Sequence, residues 1–290
     1  MKYAYYPGCS MHSATAREYE RSLLAVARVV GLELAEVENW HCCGSGAAHS
    51  VSRLLGTALP LDNLVSTRRM GLDEVVVPCP SCFSRFKSAL HEVENEPELR
   101  TQVEEIVEGD YRAEILHPLQ VFSRPSMLAA IANARKQTFA DLKVVCYYGC
   151  LLTRPPKVAR FDDVEYPQSM DDVLRAAGVQ TLDWSCKTAC CGASLTVTRK
   201  DIVVKLCHDI FQAAKDVGAD AIAVACPLCQ LNLDTREEEV EHEYEESYQL
   251  PILYFTQLIA MAFGLSPGDV MLRKHFVVPD LKLAEVTAGA

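Results

Sequence analysis

Apolar positions along this chain fall into two alternating patterns. Short runs are apolar or β-branched at nearly every position, and longer stretches place apolar residues three and four apart. Lys2–Tyr6 is the first short run, followed by the helical stretch Ala14–Val30 and its stop at Gly31. Leu32–Val37 then reads as a strand, Leu54–Met70 as a helix ended by Gly71, Asp73–Val77 as a strand, and Ser81–Glu92 as a helix. After residue 142 the order repeats: strand Lys143–Tyr148, helix Met170–Ala177, strand Val179–Trp184, helix Lys200–Val217, strand Ala221–Ala225 and a helix from Pro227. Strands alternating with helices predict α/β units built on parallel sheets. The stretch from Arg124 to Leu142 is predicted to be a helical connector, and the units are expected to be residues 1–140 and 141–290.

The chain has 290 residues, 49% of them apolar, which is enough for one large domain or two modest ones. Its formal charge of −11 argues against a protein that grips nucleic-acid backbones. No segment approaches the ~18 consecutive apolar residues of a bilayer span. No signal-peptide pattern opens the sequence, so a soluble, cytoplasmic protein is expected.

Cysteine changes the picture, with 13 in the chain. In a reducing compartment that number points to metal binding or redox chemistry rather than disulfides. Their spacing is doubled. Tyr6-Pro7-Gly8-Cys9 is echoed by Tyr147-Tyr148-Gly149-Cys150, His41-Cys42-Cys43-Gly44 by Ala189-Cys190-Cys191-Gly192, and Pro78-Cys79-Pro80-Ser81-Cys82 by Ala225-Cys226-Pro227-Leu228-Cys229. Ile115-Leu116-His117-Pro118-Leu119-Gln120 is echoed by Ile252-Leu253-Tyr254-Phe255-Thr256-Gln257. Ten of the 13 cysteines thus fall into a C…CC…CxxC grid written twice, an internal duplication. Each group follows a predicted strand, where open parallel sheets build their ligand sites.

Each half therefore gathers five thiols. A CxxC brings two thiolates to one metal or one cluster edge, whereas vicinal cysteines suit different irons of one cluster. Five sulfurs are one too many for tetrahedral zinc or for an ordinary cubane. An unusual polynuclear iron–sulfur cluster, or a cubane with a spare thiolate, is expected ahead of zinc sites, packing cysteines or dithiol exchange. Cys146, Cys186 and Cys207 lie outside the grid; Cys207 reads as core filler, and the other two as weaker ligand candidates.

These motifs resemble the CCG domains of the heterodisulfide reductase B-subunit family over essentially the whole chain. The supporting stretches include Pro78-Cys79-Pro80-Ser81-Cys82-Phe83, Tyr148-Gly149-Cys150-Leu151-Leu152, Cys226-Pro227-Leu228-Cys229-Gln230-Leu231-Asn232-Leu233 and Lys274-His275-Phe276-Val277. The resemblance implies two pseudo-symmetric, Rossmann-like CCG domains with cysteine sites at the carboxyl ends of their strands. It implies a noncubane [4Fe-4S] cluster on Cys9, Cys42, Cys43, Cys79 and Cys82, and another on Cys150, Cys190, Cys191, Cys226 and Cys229. The implied reaction is reduction of a disulfide such as CoM-S-S-CoB, the methanogenic substrate, to two thiols by two one-electron steps. The implied partners are a ferredoxin-like C subunit and a flavin-containing A subunit.

The chain has neither a GxGxxG fingerprint nor a ferredoxin-type cysteine run, so electrons must come from another polypeptide. Lys187, Arg85 and Arg154 are candidates to hold anionic substrate groups, and His41 to hydrogen-bond a cluster sulfur. The acidic run Arg236–Glu246 reads as a solvated face. Two other functions fit the same residues: a CCG electron-transfer subunit of a quinone-, fumarate- or lactate/glycolate-linked oxidoreductase, and a zinc-stabilised interaction module.

Overall fold

The apolar runs become strands in the computed structural model, which describes residues 1–139, 141–279, 281 and 283–285. In chain order they are β1 (Lys2–Tyr5), β2 (Glu33–Glu36), β3 (Glu74–Val76), β4 (Glu114–Leu116), β5 (Gln137–Phe139), β6 (Lys143–Tyr147), β7 (Gln180–Leu182), β8 (Ala221–Val224), β9 (Ile252–Tyr254) and β10 (Leu283–Glu285). Eight of them make two four-stranded sheets in the orders β2-β1-β3-β4 and β7-β6-β8-β9. Every neighbouring pair in these sheets is parallel. Relative to its own half, each sheet therefore has the same strand order: second, first, third, fourth. All four residues of β8 are buried, as expected of a strand covered by helices on both faces. The edge strand β2 instead carries exposed Glu33 and Glu36, which discourage pairing with another chain.

The helices cover these sheets with one apolar stripe each. Arg17–Val29 buries Tyr19, Ser22, Leu23 and Val26, a spacing that lines one helical face. Lys200–Asp216 does the same with Val203, Cys207, Ile210 and Phe211. The predicted helix Ala14–Val30 starts later, because a separate turn of helix, Gly8–His12, precedes it. The fourth-strand echo has a physical meaning. In each copy a glutamine one turn into the next helix accepts a hydrogen bond from the backbone at the strand end, Gln120 from His117 N and Gln257 from Tyr254 N, both at 2.9 Å.

Two expectations need correction. Residues 124–142 are not wholly helical: the helix Pro125–Ala134 is followed by β5, which pairs antiparallel with β10 near the end of the chain. The aromatic and β-branched residues of Gln137-Thr138-Phe139 favour that pairing. The acidic run is not wholly solvated either. Glu237, on the helix Pro227–Tyr244, turns inward and accepts a bond from Leu250 N at 2.6 Å, and burial pushes its carboxyl up to about 7.

The halves are joined by exchanged helix contacts. Arg17–Val29 of the first half packs on Phe255–Ala262 of the second, and Ser169–Ala176 of the second packs on Pro118–Phe122 and Pro125–Ala134 of the first. At the first contact the Ser22 and Thr256 hydroxyls bond at 2.6 Å in a fully buried setting. Ser22→Ala leaves Thr256 unsatisfied and should cost about 1–3 kcal/mol. Adding Thr256→Val should cost no more than Ser22→Ala alone, as denaturant unfolding of the three variants would measure.

Candidate metal centre

The single cysteines and the CxxC motifs sit just beyond the carboxyl ends of parallel strands, and the vicinal pairs lie in the loops that follow β2 and β7. Cys9 and Cys150 follow β1 and β6; Cys79 and Cys226 follow β3 and β8 and cap the helices Pro80–Asn95 and Pro227–Tyr244, with proline at the first helical position. The vicinal pairs turn on Gly44 and Gly192, at φ +74° and +77°, where a side chain would be strained. Both glycines point their N–H at the first sulfur of the pair, Gly44 to Cys42 at 3.5 Å and Gly192 to Cys190 at 3.4 Å.

Another glycine in each half leaves room for sulfur. A Cβ on Gly8 would stand 3.0 Å from the Tyr6 ring and 3.3 Å from Cys82 Sγ; one on Gly149 would stand 3.2 Å from Cys229 Sγ. Tyr6 donates to His41 O at 2.8 Å, and Tyr147 donates to Ala189 O at 2.7 Å, the carbonyl just before the cysteine pair in each copy. Asparagines fix the same loops. Asn63 accepts from His41 N at 2.9 Å, and Asn232 donates to Cys191 O at 2.8 Å. Asn232 belongs to the stretch Cys226–Leu233 that supports the resemblance, whereas nothing in the sequence pattern singles out Asn63. For the tyrosines, their constant place three residues before the single cysteine is the available signal.

In each half the sulfurs form an inner and an outer set. Cys43, Cys79, Cys82, Cys191, Cys226 and Cys229 are buried, Cys9, Cys42 and Cys190 are exposed, and Cys150 lies between. Cys43 and Cys82 bring their sulfurs to 3.1 Å. The hydrogen bond from Cys82 holds the Cys43 thiol down to about 6 and also lowers Cys79, while Cys82 itself is pushed far up. In the second half Cys229 is pushed far up by its bonds to Cys191 and Cys226, and Cys191 is lowered. Cys150 is raised by its bond to Cys190, whose thiol is held down to about 6. One proton shared among several sulfurs is the arrangement that a cationic centre replaces.

The donor set fits a polynuclear sulfur-ligated group. The five donors are all soft thiols, without imidazole or carboxylate, and glycine cradles keep side chains off the sulfurs. Among the described residues, no three His, Cys, Asp or Glu side chains are arranged to hold a single metal ion. His41 does not reach a sulfur; its ring bonds Leu59 O at 3.1 Å. Cys146 and Cys207 are fully buried, and Cys186 is half-buried with Ser185 as its neighbour at 3.9 Å. Cys207 packs behind the second pair, 3.7 Å from Cys191 O.

A cavity of about 680 Å³ opens over the second-half site. All five of its grid cysteines line it, and Ser45, His49, Ser81, Ser84 and Arg85 of the first half form the opposite wall. Of the three candidate cations only Arg85 faces this cavity, 3.3 Å from Glu92 and with its buried Nε unpartnered among the described residues. Lys187 is 1% exposed, bonded to Asp171 at 3.0 Å and to Pro167 O at 3.1 Å, so its ammonium serves the interior instead. Arg154 pairs with Glu165 at the surface, at 2.9 Å.

A family model described as a cysteine-rich domain, CCG, matches residues 3–87 and 144–234. The chain is 27% identical over 287 residues to the 8-methylmenaquinol:fumarate reductase membrane anchor subunit of Wolinella succinogenes, covering 97% of this chain and 99% of that protein. It is 27% identical over 272 residues to the B subunit of the ferredoxin:CoB-CoM heterodisulfide reductase of Methanosarcina mazei, 89% of each chain. It is 26% identical to a protein of Archaeoglobus profundus that is itself like the heterodisulfide reductase B subunit, over 93% of each. A hypothetical protein from Helicobacter pylori shares the fold, with a TM-score of 0.70 at 16% identity; 95% of this chain is covered but only 52% of that one, so this chain spans about half its length.

Gly149→Ala tests the sulfur cradle. Gly218 has a similar φ of +72° with nothing within 4 Å of its would-be Cβ, so both substitutions should cost about 1–2 kcal/mol of backbone strain. Only Gly149→Ala should also lower bound iron per chain; equal iron in the two variants would contradict the cradle.

Proposed function

This chain belongs to the CCG cysteine-rich domain family, and on that footing we propose that it is the disulfide-reducing B-type component of a heterodisulfide reductase-type oxidoreductase complex. Residues 1–140 and 141–290 each hold one noncubane [4Fe-4S] cluster, on Cys9, Cys42, Cys43, Cys79 and Cys82 and on Cys150, Cys190, Cys191, Cys226 and Cys229. When bound, the clusters supply electrons one at a time. The overall reaction takes one disulfide, two electrons and two protons to two thiols. A ferredoxin-like C subunit and a flavin-containing A subunit deliver the electrons, since the sequence carries no nucleotide-binding fingerprint of its own.

The observation that carries this reading is the cavity in which all five second-half sulfurs meet a polar wall from the first half. A small disulfide entering there would be enclosed by both halves of the chain. Arg85 would hold an anionic group of the substrate by charge-assisted hydrogen bonds. Ser45 and Ser81, bonded to each other at 3.0 Å, would orient the polar remainder. Leu151 and Leu228 supply the apolar part of the lining that a thioether-like chain needs.

The full-length similarity to the Wolinella protein supports a second reading, an electron-transfer subunit of a quinone- or fumarate-linked oxidoreductase. Among the described residues no helix is long and apolar enough to cross a membrane.

Anaerobically loaded protein, reduced and mixed with an anionic mixed disulfide, should yield two thiols per two electrons consumed. Arg85→Ala should raise KM about tenfold or more, as loss of one charged hydrogen bond implies, with little change in kcat. No thiol release, with electrons passing to a quinone analogue instead, would favour the second reading.

A further inference from the structure

On the seam between the halves, Tyr19 and Tyr254 lie ring on ring, their centroids 4.4 Å apart and their planes 7° from parallel. Both side chains are completely buried. Neither hydroxyl has a hydrogen-bond partner among the described residues. Buried tyrosine hydroxyls seldom go unpartnered, so two side by side ask for an acceptor. One turn along the same helix the neighbouring seam contact is satisfied, where Ser22 bonds Thr256.

The surroundings indicate where that acceptor lies. Burial pushes both hydroxyls far above the ordinary tyrosine range; the Cys226 and Cys79 thiols raise Tyr19 next, and Glu18 followed by the same thiols raises Tyr254. These cysteines are the N-caps of the helices Pro80–Asn95 and Pro227–Tyr244, and Tyr254 pairs in register with Val224, two residues before Cys226. The hydroxyls remain neutral donors throughout.

We propose that Tyr19 and Tyr254 are the shared hydrogen-bond donors of the two cysteine sites, donating to the sulfur groups held at Cys79 and Cys226 and setting both reduction potentials together. The proposal rests on the reading of one iron–sulfur centre per half. A donor to sulfur stabilises the reduced, more negative state and so raises the potential. Two stacked hydroxyls shared by the centres would act on both, which suits a reaction that needs two electrons in quick succession. Tyr19 and Tyr254 are positioning residues in this scheme.

Tyr19→Phe, Tyr254→Phe and Ser22→Ala holoproteins, prepared without oxygen, separate the possibilities. Iron and acid-labile sulfide are measured first, then each centre's potential by titration followed with electron paramagnetic resonance. Absence of iron from the unsubstituted protein would remove the underlying reading itself. With iron present, each tyrosine variant should shift both potentials to more negative values, and Ser22→Ala, which loosens the same seam, should shift neither. Iron lost from the tyrosine variants but kept by Ser22→Ala would support the same donor role. Unshifted potentials at full iron content, or an equal shift in Ser22→Ala, would overturn it.

Discussion

Two sulfurs 3.1 Å apart inside an apolar wall, as Cys43 and Cys82 are, pose the physical problem that organises this molecule. Burial penalises each thiolate, and each thiolate penalises its neighbour. Protons shared between sulfurs relieve the repulsion only in part, which is why some thiols are driven far up while their partners fall to about 6. A cationic centre relieves it throughout, because thiolates give up their protons to the metal. The surrounding features follow from that need. Glycines at positive φ bring backbone N–H to sulfur, tyrosines and asparagines fix the loop carbonyls, and strand ends supply rigid mounting points.

Duplication solves the same problem twice and creates a seam. Each half has its own four-stranded sheet, yet neither covers its helices alone: the helix after the first strand of each half lies on helices from the end of the other. The two sites are thereby placed at fixed positions on one continuous core. The copies are not equivalent, however. The second-half sulfurs open onto a large cavity, and the first half contributes to it hydroxyls and Arg85 rather than cysteines.

Much of this was legible in the chain. The cysteine grid, the strand–helix alternation and even the fourth-strand echo announced two parallel α/β halves, and the echo proved to be a repeated glutamine cap at Gln120 and Gln257. What could not be read depended on partners distant in sequence. Lys187, three residues before Cys190, has the spacing of a substrate contact, but Asp171 draws it into the core. Tyr6 and Tyr147 look like strand core residues until their hydroxyls are seen to bond the loops before the cysteine pairs. β5 needs a strand from the end of the chain, which local pattern cannot supply.

The central claim is one polynuclear iron–sulfur centre per half, and metal stoichiometry in half-site variants tests it most directly. Iron, acid-labile sulfide and zinc would be measured on anaerobically purified protein, on Cys43→Ser/Cys82→Ser, and on Cys191→Ser/Cys229→Ser. Two four-iron centres predict about eight irons and eight sulfides in the unsubstituted chain, and about half of each in either double variant. Zinc without sulfide, or loss of all iron from either variant, would contradict the account.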